Sequence, residues 1–450
     1  MKELKKLKIL FFKKNLVIEN NLDLNLGNLI FIYNGYESCL GFVSSIKENQ
    51  VNIFLNGDLK EKTNLRGMKY KEDVGINFGG KNLGTIKNIY GEEFRKNRIL
   101  YSEGGSEEFV SFQSYKIFNP INREIPSKPF FTGIGLIDLF MTIIKGQKIS
   151  VFISEEYKVI EMIKKLILDK KEKIFLCLVG LGEEDLLDLS DFIEKNRLSE
   201  YFILYNSNRG NYSDKKYIYK LFNNLCNKYL EKNPKSEIIS IIFDFSEYGN
   251  YLRNESIDLK ELPGKKGYPY DLYSSFAGIF ENCGSFKNGG SITMINMLKI
   301  QKGDVTNIFS DISGYISEGQ IVIDQENLIQ KFKNPINIFQ SLSRLMNEAL
   351  ENGNISFDNH LTLAYHLKRL YFEAKGISNL AGIIGFDNLD VFQKKMIDFK
   401  NIFEKEFYHS EGIMDLHTIS KKCYECLETI PEKEKETLGE EIMKNLRNDI

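Results

Sequence analysis

The stretch KISVFISEEYKVIEMIKKLI, residues 148–167, decides the fold class of this chain. Its first seven residues are a continuous apolar run of the kind that suits a strand covered on both faces. Its last nine place Val159, Ile160, Ile163 and Leu166 on one side of a helix. A buried strand running straight into an amphipathic helix is the repeating unit of a parallel sheet. The alternation returns further on. KIFLCLVGL (173–181), YFILYNS (201–207) and EIISIIFDFS (237–246) read as further buried strands, and YIYKLFNNLCNKYL (217–230) as a second apolar-faced helix. Right-handed crossovers between such units place ligands at the carboxyl ends of the strands.

The flanks follow different rules. In residues 1–72, NLIFIYNG (28–35), CLGFVSSI (39–46) and VNIFLNGDL (51–59) are short β-rich runs separated by Asn-Gly and polar turns. A small β-barrel is the natural way for such a run to hide its edges. After about residue 345 the pattern is helical, strongest in HLTLAYHLKRLYFEAKG (360–376), DVFQKKMIDFKNIFEKEFY (390–408) and LHTISKKCYECLETI (416–430). Phe392, Met396, Phe399, Phe403 and Phe407 recur at spacings of three and four, a core stripe rather than a cofactor box. Pro431 with Glu432 and Glu434 opens a last helix, where proline and acid suit an N-terminus. The expected order is a β-barrel (1–72), an α/β domain (73–345) and a C-terminal helical bundle (346–450).

Composition removes several functions. The 450 residues are 42% hydrophobic and 27% charged, with a net charge of −2, so the basic field of a general nucleic-acid binder is missing. No apolar run approaches the roughly 18–20 residues that span a bilayer, and GIGLIDLFMTII is interrupted by Asp138. The start, MKELKKLKILFFKKN, is basic but carries no small-residue cleavage site. A cytoplasmic protein is expected, reaching a membrane only through a complex. Cys39, Cys177, Cys226, Cys283, Cys423 and Cys426 are scattered, and the Cys423/Cys426 pair has no second pair at zinc spacing. All four histidines lie beyond residue 359 in no metal-binding pattern, so no metal site is expected in this chain.

Several words then occur in a fixed order. NPINREIPSKPFFTGIGLIDLFMTIIKGQKISVFIS (119–154) contains the frame TGIxxID…xxGQK, and ELPGKKGYPYDLYSSFAGIFENCG (261–284) contains PGKKGYP. GSITMINMLKI (290–300), DISGYISEGQIVI (311–323) and NPINIFQSLSRLM (334–346) follow. Together they resemble the non-catalytic B subunits of V/A-type rotary ATPases, across nearly the whole chain and most densely over 119–346. Pro335, Ile336, Asn337, Ser341 and Ser343 match the family signature P-[SAP]-[LIV]-[DNH]-x3-S-x-S, and Asn334 stands where its leading proline would be. The resemblance implies a RecA-like central domain. It also implies an alternating hexamer with catalytic A subunits, together with central and peripheral stalk subunits, coupling ATP hydrolysis or synthesis to H⁺ or Na⁺ movement.

The residues themselves say whether this chain could hydrolyse ATP alone. A phosphate-binding loop needs G-x-x-x-x-G-K-[ST], because bare backbone amides cradle the phosphates while Lys and a hydroxyl reach the γ-phosphate and Mg²⁺. Here the stretch after the first strand is FISEEYKVIEM (152–162), without glycine and with Glu155 and Glu156 where phosphates would lie. Those carboxylates would repel nucleotide. Asp244 in FDFS and Glu183 in LVGLGEED resemble a Mg²⁺-holding carboxylate and a water-orienting base, yet Glu184 stands where an Arg would follow, and no phosphate loop lies opposite. Their own reading is a strand-end residue and a helix N-terminal acid. No cofactor is expected on this chain alone; ATP/ADP and Mg²⁺ would sit at the interface with the catalytic A-type partner.

Arg344 in SLSRL is one of few arginines among many lysines. Alone it reads as a helix-surface cation. In the family this arginine reaches across the interface as an arginine finger, a job that suits a planar, always-charged fork. The resemblance further places Tyr315, Ser341 and Ser343 at the edge of that nucleotide pocket. It makes Gly264, Lys265, Lys266, Gly267, Tyr268 and Pro269 an inter-subunit loop, in which Tyr270 replaces the usual glycine. The competing reading is a stand-alone structural or interaction paralogue. A homohexameric export ATPase or a Rho-like helicase would need the missing phosphate loop.

Overall fold

The computed structural model describes residues 4–12, 16–56, 64–71, 75–79, 83–89, 91–95, 98–101, 108–112, 118–207, 214–258, 262–301, 304, 306–351 and 359–438. The expected boundary at 72/73 and the end of the helical region, 439–450, lie outside them. The chain forms two compact units, one of residues 1–119, 173–234 and 240–282, the other of residues 120–172, 235–239 and 283–450.

The first unit begins with a seven-stranded sheet. In spatial order its strands are Lys5–Lys6, Arg66–Lys71, Leu29–Tyr33, Ser38–Lys47, Gln50–Asn56, Leu16–Glu19 and Ile9–Phe12, all antiparallel. Period-two alternation sends Leu16, Ile18, Ile30, Ile32, Val51 and Ile53 to one buried core. The turn that joins Lys47 to Gln50 takes Glu48 at φ 52°, a two-residue hairpin that matches strand twist. Residues 75–111, for which the sequence pattern offered no elements, add short strands. One of them, Thr85–Asn88, pairs in parallel with Tyr201–Ser207. Tyr201–Ser207 pairs in parallel with Lys173–Leu181 in turn, and the Asp214–Lys232 helix packs Tyr229 on the Phe175 ring at 5.4 Å.

In the second unit, Lys148–Ser154 lies between Ser291–Ile300 and Gly319–Ile323, parallel to both. All but Lys148 of its seven residues are buried, as the unbroken apolar run requires. The Leu342–Ser343 strand closes the edge of Gly319–Ile323 antiparallel. Helix His360–Ile384 pairs with helix Val391–Phe403, and Met396, Phe399, Phe403 and Phe407 are buried. Helix Val391–Phe403 ends in a π-helical turn, Glu404–Tyr408, which buries both Phe407 and Tyr408. The architecture is thus a multidomain α/β protein: an N-terminal sheet, a central mixed α/β region and C-terminal helices. The sheet path has two ends, Lys5–Lys6 and Ile9–Phe12, and no pairing joins them among the described residues.

Two buried titratable groups meet at the helix Gly135–Phe140, Asp138 within it and His360 bonded to its Leu139 carbonyl. Asp138 accepts from Thr132 N, Thr132 Oγ1 and Gly133 N, each at 2.7 Å, so the ID of the TGIxxID frame closes the turn that precedes the helix. Burial nevertheless pushes its carboxyl up to about 6. His360 donates Nε2–H to Leu139 O at 2.8 Å, since a carbonyl can only accept, and burial pushes its imidazolium down to about 4. The signs oppose. His360 supports the fold fully above its unfolded value of 6.5, and that support is lost as pH falls through 4. Asp138 costs stability above pH 6, and the cost fades as pH falls from 6 toward 3.8. Asp138 is common to wild type and a His360→Gln variant, so their difference isolates the histidine. Urea unfolding at pH 7 and pH 4.5 should show wild type losing roughly 2–3 kcal/mol relative to the variant on acidification.

Candidate functional site: the Arg344 corner

Helix Ile308–Ile316 starts with Asn307 Oδ1 capping Phe309 N and ends at Ser317. Its last carbonyls lack helical partners, as at any C-terminus. Arg344 supplies them. Nη1 donates to Ser317 O at 2.9 Å and Nη2 to Gly314 O at 3.3 Å, while Arg344 N donates to Glu318 O at 2.8 Å. Tyr315 stands on the same helix end and is 76% exposed. The two residues therefore share one corner of the surface, 29 positions apart in the chain.

Arg344 is placed by a loop pinned residue by residue to the strand Gly319–Ile323. Asn337 N donates to Val322 O at 2.8 Å, and Asn337 Oδ1 caps Phe339 N at 3.0 Å. Ser341 is buried; its Oγ accepts from Val322 N at 2.9 Å and donates to Asn337 O at 2.6 Å. Ser343 Oγ sits on the Gln147 amide, 3.0 Å from Nε2 and 3.2 Å from Oε1. Gln147 Nε2 also donates to Glu318 O at 3.0 Å. Lys148 completes the corner with an ion pair to Glu318 at 3.2 Å. Ser341 and Ser343 thus spend their hydroxyls inside the chain, where they hold the strand that presents Arg344. Gln147 and Glu318 went unnoticed in the sequence, although Gln147 is the middle letter of GQK.

The turn between the strand Lys148–Ser154 and the next helix is short. Only residues 155–158 separate Ser154 from the helix Val159–Ile167. Glu155 and Glu156 are exposed there, and the helix start has no side-chain cap. Asp244 is buried, and its Oδ1 accepts from Ser246 N at 3.0 Å and from Ser246 Oγ. Its carboxylate is committed to starting the helix Ser246–Asp258. Glu183 is an exposed residue in the first turn of helix Glu183–Lys195. No group of three or more His, Cys, Asp or Glu placed to hold a metal exists among the described residues.

In PGKKGYP, Gly264 N donates to Tyr268 O at 2.7 Å, and a Cβ on Gly264 would fall 2.9 Å from that same oxygen. Lys266 and Gly267 take positive φ, 56° and 79°. Arg253 lies over the Tyr268 ring at 5.2 Å, and Pro269 is buried. The Lys265 side chain lies outside the described atoms. Tyr270, the departure from the family pattern, is 81% exposed, and Leu262 is 83% exposed. This loop belongs to the first unit and Arg344 to the second.

Comparison with known proteins agrees with this layout. Residues 133–343 match the model of the ATP synthase alpha/beta family nucleotide-binding domain, and residues 351–447 the C-terminal domain of V and A type ATP synthase. Arg344 stands one residue past the first match. The chain is 27% identical to a V-type ATP synthase beta chain of Halothermothrix orenii, covering 91% of this chain and 90% of that one. It is 30% identical to the B subunit of an A-type ATP synthase of Sulfurisphaera tokodaii, covering 80% and 79%. Among solved structures the ATPase EscN of the enteropathogenic E. coli type III secretion system superposes with a TM-score of 0.80 at 18% identity, covering 94% of this chain and 100% of that one. That likeness speaks to the fold alone.

The protein is therefore a member of the ATP synthase alpha/beta family. Within it, the chain belongs to the V- and A-type branch and is similar to the B, or beta, subunits. Among its described residues no helix is long and apolar enough to cross a membrane.

Proposed function

We propose that this chain is a non-catalytic B-type subunit that completes the active site of a neighbouring catalytic A-type chain with Arg344. The observation that carries the reading is the pairing of an exposed, pre-positioned arginine fork with a strand–helix turn unable to cradle phosphate. ATP or ADP and Mg²⁺ would be held by the partner, and no residue of this chain is assigned to the metal. In the chain alone, the guanidinium rests on two neutral carbonyls at a helix end. A phosphoryl oxygen carries negative charge and makes the stronger, charge-assisted bond, so it would draw the fork outward. Tyr315 on that corner would line the pocket edge, and Ser341 and Ser343 would position the arginine from behind. The PGKKGYP loop and the exposed Tyr270 that follows it would face neighbouring subunits or the central stalk. Coupling of ATP turnover to H⁺ or Na⁺ movement would follow from assembly into the rotary complex.

Purified chain alone should hydrolyse no ATP above buffer, and mixing it with an A-type partner that bears a phosphate loop should produce an ATP-hydrolysing complex. Turnover by the isolated chain would reverse the reading of residues 155–158. The glycine-free 154–160 segment and Tyr270 also suit a stand-alone paralogue that keeps the scaffold without the motor. Failure to associate with any A-type partner encoded beside it would favour that reading.

A further inference from the structure

The loop that carries Arg344 begins at Asn334, and this residue does something that the proline of the family signature could not. Helix Val391–Phe403 and its π-helical turn end at Tyr408, leaving terminal carbonyls without helical partners. Asn334 caps them from the far side of the chain. Its N–H donates to Tyr408 O at 3.0 Å, and its Nδ2 donates to Phe407 O at 3.0 Å and Ser410 Oγ at 2.9 Å. Its Oδ1 accepts from Lys165 Nζ at 2.7 Å, on the helix that follows the 155–158 turn. A cation behind the amide polarises it toward the negative end of the helix it caps. Asn334 is 5% exposed and its bond to Phe407 O is buried, while those to Lys165 and Ser410 are partly buried. Neighbouring contacts reinforce the join: Phe332 packs on Tyr408 at 4.6 Å, and Lys333 pairs with Glu411.

From Asn334 onward the loop is stiff. Pro335 O accepts from Asp324 N at 3.0 Å, Asn337 and Ser341 bond to Val322, and Gln340 O accepts from Gln320 Nε2 at 2.8 Å. These bonds all lead to the strand whose edge holds Arg344. We propose that Asn334 is a positioning residue for Arg344. It latches the end of the 391–408 helix to the arginine-bearing loop, so that movement of the C-terminal helices shifts the finger. This rests on the arginine-finger reading for its catalytic consequence, but the latch itself is a property of the chain.

The test uses Asn334→Ala, which keeps the backbone N–H, and Asn334→Pro, which removes it as well. Amide hydrogen exchange of the full chain should quicken at 404–411 and also at 340–346, more in the proline variant than in the alanine one. In the ATP-hydrolysing complex, kcat should fall about threefold to tenfold with KM unchanged, the signature of a displaced group acting in the transition state. If the proline variant does not fold, the alanine variant decides on the same readouts. Faster exchange at 404–411 with unchanged exchange at 340–346 and unchanged kcat would make Asn334 a local brace and overturn the latch. The two readings fail separately. Exchange coupled across both segments, alongside an Arg344→Ala complex of normal turnover, keeps the latch and sinks the finger.

Discussion

Arg344→Ala should leave the complex with a catalytic A-type partner assembled and able to bind ATP, yet reduce its turnover by about 10³-fold or more. An arginine supplied across an interface is typically worth 10³ to 10⁵ in rate, or roughly 4–7 kcal/mol of barrier. The structural cost of the substitution is far smaller. Arg344 is exposed, and its side chain contributes two hydrogen bonds to the end of helix Ile308–Ile316, about 1–2 kcal/mol in total. A large loss of turnover without loss of assembly therefore separates the catalytic role from the capping role. Arg344→Lys sharpens the result. Lysine keeps the charge but not the fork, so it reaches one oxygen where arginine reaches two, and it should restore only a minor part of the rate. Near-normal hydrolysis by the alanine complex would remove Arg344 from the mechanism.

Gly146→Ala should destabilise the isolated chain by roughly 2–5 kcal/mol, the sum of a left-handed backbone penalty and forced overpacking. Gly146 has φ +89°, and an added Cβ would lie 2.6 Å from Ser285 N and 2.8 Å from Gly284 C. Those are backbone atoms of a strand paired to Ser291–Ile300, not the ends of flexible side chains. The glycine is also held from both sides: its N–H donates to Thr293 Oγ1 at 2.9 Å, and the Cys283 thiol, shared with Ile292 O, lies 3.0 Å from its carbonyl. Gly376→Ala is the control. It lies inside helix His360–Ile384 with nothing within 4 Å of its would-be Cβ, and alanine there should stabilise by about 0.5–1 kcal/mol. Urea unfolding reads both. A Gly146→Ala midpoint within error of wild type would mean that the 284–286 strand yields at little cost.

Legibility followed the range of the interactions. Continuous apolar runs announced the strands at 148–154, 173–181 and 201–207, because burial on both faces leaves that mark on consecutive residues. The three-and-four spacing of Met396, Phe399, Phe403 and Phe407 announced a helix core for the same local reason. Residues 75–111 carried no such mark: strands of four residues, such as Thr85–Asn88, owe their existence to a neighbouring edge rather than to their own pattern. The six cysteines are free and buried, and burial pushes the Cys39 thiol up to about 11.

At the candidate site the division is finer. The sequence by itself marked the 155–158 turn as lacking the glycines and the Lys-Ser or Lys-Thr pair of a phosphate loop. It also singled out Arg344 by its residue type and its company. Only the tertiary structure decided that Ser341 and Ser343 turn inward to Val322 and Gln147, and that Arg344 rests on the end of the Tyr315 helix. It alone brought Asn334, Lys165 and the Phe407–Ser410 segment together. Hydrogen-bond partners 19 to 196 residues apart leave no periodicity in the chain, because a hydroxyl or an amide fits many neighbours. Which one it meets is settled when the surrounding core has packed.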